Sequence, residues 1–270
     1  MQKPVIAITM GDPCGVGPEI IVKALSDPLV RLLCTPVVLG DAGAMERAVS
    51  LCSTELEIIP LPSPGNAKGL PDSTIPLICI SELPPSDICF GKPTELSGDA
   101  VYRYIRRAAG LCLTGEVSAM ATAPISKEAM HRAGHNYPGH TELLAELCRC
   151  ENYVMMLAGD ILRVSLVTIH EAISDVPRLI TTDNVLRTIR VTAKGVTPLC
   201  GNRKPRIAVL SLNPHCGEGG MFGNEEKTAI VPAISMARAE GLDVNGPFSA
   251  DTFFHFAVQE IGRASCRERV

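Results

Sequence analysis

The feature that most constrains this chain is a repeated change of hydrophobic period. Short β-rich runs end at glycine or an acid and give way to stretches with helical spacing of apolar residues. Pro4–Thr9 (PVIAIT) predicts a strand that stops before Gly11. Pro18–Leu25 (PEIIVKAL) predicts a helix with proline at its first position and Glu19 in its first turn. Thr35–Leu39 reads as a second strand, followed by Gly40 and Asp41. Asp99–Thr114 and Thr182–Lys194 have helical spacing, Val117–Thr122 reads as a buried strand, and Ser126–Arg132 as a helix. Val164–Thr168 is a β-branched run and Arg206–Leu210 a strand, while Glu225–Glu240 reads as a helix with Gly241 as its C-cap. Residues 60–98, rich in Pro, Gly and Ser, are expected to be loops and short strands crossing the surface. Strand, loop and helix repeated in this way predict an α/β fold with a largely parallel sheet. In such sheets the chemistry sits in loops beyond the C-terminal strand ends.

A length of 270 residues allows one large or two ordinary domains, and 46% apolar with 20% charged residues excludes dominant disorder. A net charge of −4, 4% aromatic residues and no tryptophan speak against a nucleic-acid partner. No apolar stretch approaches the roughly 20 residues of a membrane helix. The opening MQKPVIAITMGDP lacks the apolar core and cleavage site of a signal peptide, so a cytoplasmic location is expected. The 11 cysteines are scattered and odd in number. Cys148 and Cys150 form C-x-C, not the C-x2-C of a zinc site, and the cysteines are expected to be reduced, mostly buried small hydrophobes.

Unusual residues gather at the strand ends. Gly11–Glu19 (GDPCGVGPE) is either a tight structural turn or an anion-binding loop, and it matches neither a Walker loop nor G-x-G-x-x-G. In TAPISKE, Lys127 near a helix start is either a solvated lysine or a contact for a substrate carboxylate or phosphate. In PGHTE, His140 and Thr141 offer two hydrogen-bonding side chains, although His140 could be an ordinary helix-entry residue and Thr141 an N-cap. His170 ends VSLVTIH, and His215 occupies the equivalent place one strand–helix unit later in NPHCGE. Each histidine alone is more often structural than a ligand; two at matching strand ends, followed by glycine-rich loops, tip the balance slightly toward a shared divalent metal, though a catalytic zinc site usually has three protein ligands. Asp251 in SADTFF is expected to open the final helix, as an N-cap, as the carboxylate that holds a ligating histidine, or as an acid/base. The last ten residues, IGRASCRERV, carry three arginines and no α/β periodicity. They are expected to be a non-native tail, with the native sequence stopping near Glu260 and the parent protein continuing further.

Taken together, MGDPCGVGPEI, TAPISKEAM, AGHNYPGHTELLAEL, VTIHEAISDVP, LNPHCGEGGMFGNEE and GPFSADTFF, in this order, closely resemble the 4-hydroxythreonine-4-phosphate dehydrogenase family. That family includes vitamin B6 biosynthesis enzymes and relatives acting on 4-phospho-D-threonate or 4-phospho-D-erythronate. The resemblance implies two α/β/α domains with a cleft between them, as in isocitrate and isopropylmalate dehydrogenases. The domains would cover 1–134, completed by a missing C-terminal segment, and 135–260. It implies NAD-dependent oxidation of a C3 hydroxyl followed by loss of CO2, and a homodimer with its active site at the subunit interface. It implies His170 and His215 as ligands of a divalent ion (Zn, Mg, Mn or Co) and His140 and Thr141 as substrate-binding residues. From the residues themselves, Asp251 and Lys127 are each expected to be catalytic. The family's third metal ligand lies in a Y-H-D-Q motif that this sequence does not contain, and its dinucleotide-binding residues cannot be placed here. A metal-dependent hydrolase or acyl-transfer enzyme on a phosphorylated metabolite would use the same two histidines to activate water. A third possibility is an inactive truncated fragment.

Overall fold

The structure is a computed structural model that describes residues 3–159, 161–201, 203–259 and 266–269. It divides into two compact units, Met1–Cys150 and Glu151–Val270. The boundary therefore falls at 150/151 and not at 134/135. The reason is apolar packing: Leu143, fully buried, joins Val101, Ile105 and Met130 in one cluster and so ties residues 135–150 to the first unit.

The first unit contains, in chain order, β1 (Val5–Thr9), α1 (Gly17–Leu25), α2 (Pro28–Leu33), β2 (Thr35–Asp41), α3 (Ala42–Leu51), β3 (Glu57–Pro60), β4 (Thr74–Ser81), α4 (Glu95–Leu113), β5 (Ala119–Thr122), α5 (Lys127–Arg132) and α6 (His140–Leu147). Its five strands are ordered β3-β4-β2-β1-β5, and every pairing is parallel. Successive side chains on a strand point to opposite faces. Accordingly Val37 and Leu39 pack with Ala108 and Leu111 of α4, while Val38 packs with Ile21, Val22 and Leu25 of α1 and Met45 of α3. A sheet covered on both faces favours continuous apolar runs over alternation. Two expectations are corrected here. Residues 60–98 contain β4, a mostly buried inner strand; its TIPLIC core is flanked by Pro, Gly and Ser, which mask the apolar run. The expected buried strand 117–122 is instead the exposed edge strand β5, because among the described residues only β1 pairs with it.

The second unit contains β6 (Met156–Ala158), β7 (Arg163–Leu166), α7 (Val176–Leu179), α8 (Thr182–Val196), β8 (Arg206–Leu210), α9 (Val231–Ala239), β9 (Asp243–Phe248), α10 (Ala250–Gln259) and β10 (Cys266–Arg269). The strand order is β6-β7-β10-β8-β9, parallel except for β6. Its core joins Val185, Leu186 and Ile189 of α8 to Ile207 and Val209 of β8 and to Ala233, Ile234 and Ala237 of α9. The helix expected over 225–240 begins as a π-helical turn, Glu226–Ile230, before α9. Gly241 ends it at φ +83°, with its N–H donated to Arg238 O, as a C-capping glycine should. Within the expected tail, 261–265 and 270 lie outside the described residues. Cys266–Arg269 pair as β10 between β7 and β8, so that part does carry a regular element. Of the cysteines whose side chains are described, only Cys14 is buried, and Cys79, Cys89, Cys148 and Cys150 are exposed. The expectation of mostly buried thiols is corrected: Cys79 sits at an exposed position of β4, Cys148 caps the end of α6, and Cys89 and Cys150 lie in loops. No described helix is long and apolar enough to cross a membrane.

Candidate functional site

The parallel strands of the first unit bring their C-terminal ends to one edge, and the loops after β1 and β5 meet there. Gly11 has φ +72°, and a Cβ on it would stand 2.3 Å from Pro124 O. The N–H of Asp12 donates to that same carbonyl at 2.9 Å. A Cβ on Gly17 would stand 2.2 Å from Met10 O. These glycines serve backbone-on-backbone packing, so the turn reading of GDPCGVGPE is the one the geometry supports. Asp12 Oδ1 accepts the N–H of Cys14 at 2.9 Å inside this turn. Burial raises the Asp12 carboxyl above its ordinary range, against the opposing pull of hydrogen bonds from Cys14 and Ser97.

The loop after β5 carries the first candidate residues. Ser126 caps α5 by accepting the N–H of Ala129 at 3.2 Å, which sets Lys127 at the helix start with its side chain exposed. Helix α6 begins at His140, and its N-cap is Gly139, in extended backbone with no side-chain cap. Thr141 is therefore not the N-cap, because the helix starts one residue earlier. A Cβ on Gly139 would stand 3.5 Å from Glu142 Oε2 and 3.9 Å from Lys127 Nζ, so the bare glycine lets the two charged groups converge beside His140. His140 Nε2 and Glu142 Oε2 are both buried without a hydrogen-bond partner. Leaving such a group unpaired costs about 1–3 kcal/mol, and a polar ligand would relieve the cost. Burial first, then the Lys127 ammonium, hold the His140 imidazole below its ordinary value of 6.5 and so keep it neutral near neutrality. Glu142 was not singled out from the sequence; its place in the first turn of α6, beside the histidine, was the available signal.

The second unit holds the other three candidates. Strand β7 ends at Leu166, so His170 lies four residues beyond it in a bend, exposed and at φ +57°. His215 follows β8 in the loop Pro214–Gly220, where five successive residues, His215 to Gly219, adopt left-handed backbone. That conformation costs roughly 1–2 kcal/mol for each residue other than glycine, here His215, Cys216 and Glu218. His215 Nδ1 lies 3.2 Å from Asp251 Oδ2, with the two side chains 60% and 48% exposed. Asp251 sits in the first turn of α10, and its Oδ1 accepts the hydroxyl of Ser249 at 2.5 Å. The Ser249 hydroxyl, and then the neighbouring His215, hold the Asp251 carboxyl below its ordinary range.

Of the expected residues the fold thus brings together His215 with Asp251, and Lys127 with His140. A neutral imidazole whose Nδ1 faces a carboxylate presents Nε2 as a metal ligand, so this pair fits a divalent cation chemically. Among the described residues, however, no group of three or more His, Cys, Asp or Glu could hold a metal ion, so His170 does not complete a cluster with His215 and Asp251.

Comparison with known proteins gives a consistent answer. The family model of the pyridoxal phosphate biosynthetic protein PdxA matches residues 32–264. A 4-hydroxythreonine-4-phosphate dehydrogenase from Trichlorobacter lovleyi is 75% identical over 258 residues, 96% of this chain and 77% of that protein. A D-threonate 4-phosphate dehydrogenase from Cupriavidus necator is 44% identical, over 94% of this chain and 76% of that protein. The crystal structure of a 4-hydroxythreonine-4-phosphate dehydrogenase from Burkholderia phymatum superposes with a TM-score of 0.84 at 41% identity, covering all of this chain and 80% of that one. The expected α/β class, that of isocitrate and isopropylmalate dehydrogenases, is the class of these structures. The chain belongs to the PdxA family of dehydrogenases in pyridoxal phosphate biosynthesis.

Proposed function

We propose that this protein oxidises the C3 hydroxyl of a 4-phosphorylated 3-hydroxy acid with NAD, the acid being 4-phosphooxy-threonine or the 4-phosphate of threonate or erythronate, and that the product then loses CO2. The observation that carries this reading is the His215–Asp251 pair: an exposed imidazole at a strand end, turned by a carboxylate 3.2 Å from its Nδ1. The names of the relatives support the substrate class. In the oxidation the hydroxyl proton leaves to a base and the C3 hydride passes to the nicotinamide. In the second step the bond from the neighbouring carbon to the carboxylate breaks, and its electron pair stays on the carbon skeleton until a proton arrives.

In this reading His170 and His215 would hold a divalent ion (Zn, Mg, Mn or Co) together with ligands from outside the described residues. Such an ion supplies Lewis-acid support for negative charge on the substrate oxygen. Asp251 fixes the tautomer and direction of the His215 ring. His140 and Thr141 bind the substrate. His140 does so as a neutral imidazole, which can donate from one nitrogen and accept at the other. Lys127 offers positive charge to an anionic substrate and a proton to the reacting system. A homodimer, in which a second copy lends a ligand to each site, belongs to the same proposal.

The test is NADH formation by the purified protein with each phosphorylated acid, before and after chelation and re-addition of each metal ion, alongside light scattering for the dimer. The expected result is metal-dependent NADH and CO2 with a phosphorylated acid and none with its dephosphorylated form. Phosphate or acyl-group release without NADH would replace the proposal with a hydrolase or transferase.

A further inference from the structure

We propose that Glu226 is a positioning residue for His215, and that its buried carboxylate clamps the left-handed turn that presents the imidazole. Glu226 is 4% exposed, and no step of the proposed chemistry uses it. Its Oε1 accepts the backbone N–H of Asn213 at 2.7 Å, and its Oε2 accepts from Asn213 Nδ2 at 3.0 Å. The same Oε2 stands 2.9 Å from where a Cβ on Gly217 would lie. A Cβ on Gly223 would meet Asn213 Nδ2 at 2.4 Å and Glu225 Oε2 at 2.5 Å. The entry of the loop (Asn213) and its middle (Gly217) therefore close around the Glu226 carboxylate, while its exit (Gly223) packs on Asn213 and the neighbouring Glu225.

The need for such a clamp follows from the backbone. His215, Cys216 and Glu218 hold positive φ, a state that persists only where the surroundings over-determine it. The turn itself is closed by weak bonds, Met221 N–H to Glu218 O at 3.4 Å and Phe222 N–H to Gly217 O at 3.2 Å. Below it, the π-helical turn beginning at Glu226 brings two successive acids to one amide, since Asn213 Nδ2 also donates to Glu225 Oε2 at 2.7 Å. Only a carboxylate offers an acceptor on both oxygens; a glutamine would place an NH2 against one of the two donors. The clamp follows from this geometry; its relevance to catalysis rests on the role proposed for His215.

The experiment compares the full chain with Glu226→Gln and Gly217→Ala. The latter leaves the carboxylate in place but drives a Cβ into it. Circular dichroism establishes folding, amide hydrogen exchange at Met221 and Phe222 reads the turn, visible absorption with Co²⁺ alone reads the histidine site, and kcat and KM are measured separately. Both variants are expected to fold, to exchange these two amides about tenfold faster or more, and to bind Co²⁺ about tenfold more weakly or worse. In NADH formation, kcat should fall while KM changes little. Unchanged exchange at Met221 and Phe222 in both variants overturns the proposal. Should Glu226→Gln not fold, Gly217→Ala decides by the same readout. Faster exchange in proteins that, like the parent, make no NADH sinks the dehydrogenase reading and leaves the clamp standing.

Discussion

His215 Nδ1 and Asp251 Oδ2 lie 3.2 Å apart, joining the loop after β8 to the first turn of α10 across 36 residues of sequence. Asp251→Asn keeps the shape but replaces the carboxylate with an amide that can meet Nδ1 through its NH2 and so select the wrong tautomer. Removing such a partner typically costs 10–100-fold in metal affinity or activity. The variant is expected to lose activity by about that factor with no measurable shift in thermal midpoint, because both side chains are half-exposed. Steady-state kinetics at a series of metal concentrations, with a melting curve alongside, checks both halves of the expectation.

A pH dependence follows from His140. Its imidazole is held below 6.5 in the folded chain, so on acidification the unfolded chain takes up its proton first. Stability then rises with pH through this range and falls as pH drops below about 6.5. Lys127→Met removes the second cause and leaves burial, the larger one. It should therefore raise the His140 pKa only part of the way toward the ordinary value. The imidazole resonances of His140 in the parent and in Lys127→Met, followed from about pH 8 to about pH 5, measure this directly. An unchanged midpoint would show that the ammonium does not face the ring.

The strands were legible where a run of apolar residues ended at a marker. β1, β2 and β8 appear within a residue or two of their expected positions, because Gly11, Gly40-Asp41 and Asn213 mark where the apolar runs stop. β4 was hidden, since TIPLIC is as apolar as any of them but lies among Pro, Gly and Ser. The histidine positions were legible for the same reason as the strands. Their surroundings were not. Left-handed backbone at His215, Cys216 and Glu218 has no sequence signature, because only glycine and asparagine advertise it. The contact of Asp251 with His215 depends on where α10 packs, and the boundary at 150 depends on where Leu143 packs. Both are tertiary facts that local periodicity cannot carry.

A buried polar network holds the strand ends of the first unit. Ser81 Oγ donates to Asp41 Oδ2 at 2.9 Å and shares a 2.5 Å hydrogen bond with Tyr104 Oη, whose residue is wholly buried. Burial pushes the Tyr104 phenol well above its ordinary range, so it stays a neutral partner. Ser81→Ala strands that hydroxyl and should cost about 1–3 kcal/mol. The double variant Ser81→Ala/Tyr104→Phe removes both groups. Asp41 Oδ2 keeps the N–H of Leu83 at 2.8 Å, so the double variant should be the more stable of the two. Urea unfolding of both variants against the parent reads the difference.

Gly11 and Gly115 separate two kinds of glycine requirement. Both hold positive φ, +72° and +75°, but a Cβ at Gly11 would overlap Pro124 O at 2.3 Å, whereas one at Gly115 would meet nothing within 4 Å. Gly115→Ala should therefore cost only the dihedral penalty, about 1–2 kcal/mol. Gly11→Ala adds a displacement of backbone by backbone, about 1–3 kcal/mol more. It also pushes the loop after β5 that leads to Lys127, so activity should fall along with stability. Equal unfolding midpoints for the two variants in urea would mean that the loops after β1 and β5 do not press on one another, and the turn reading of GDPCGVGPE would lose its support.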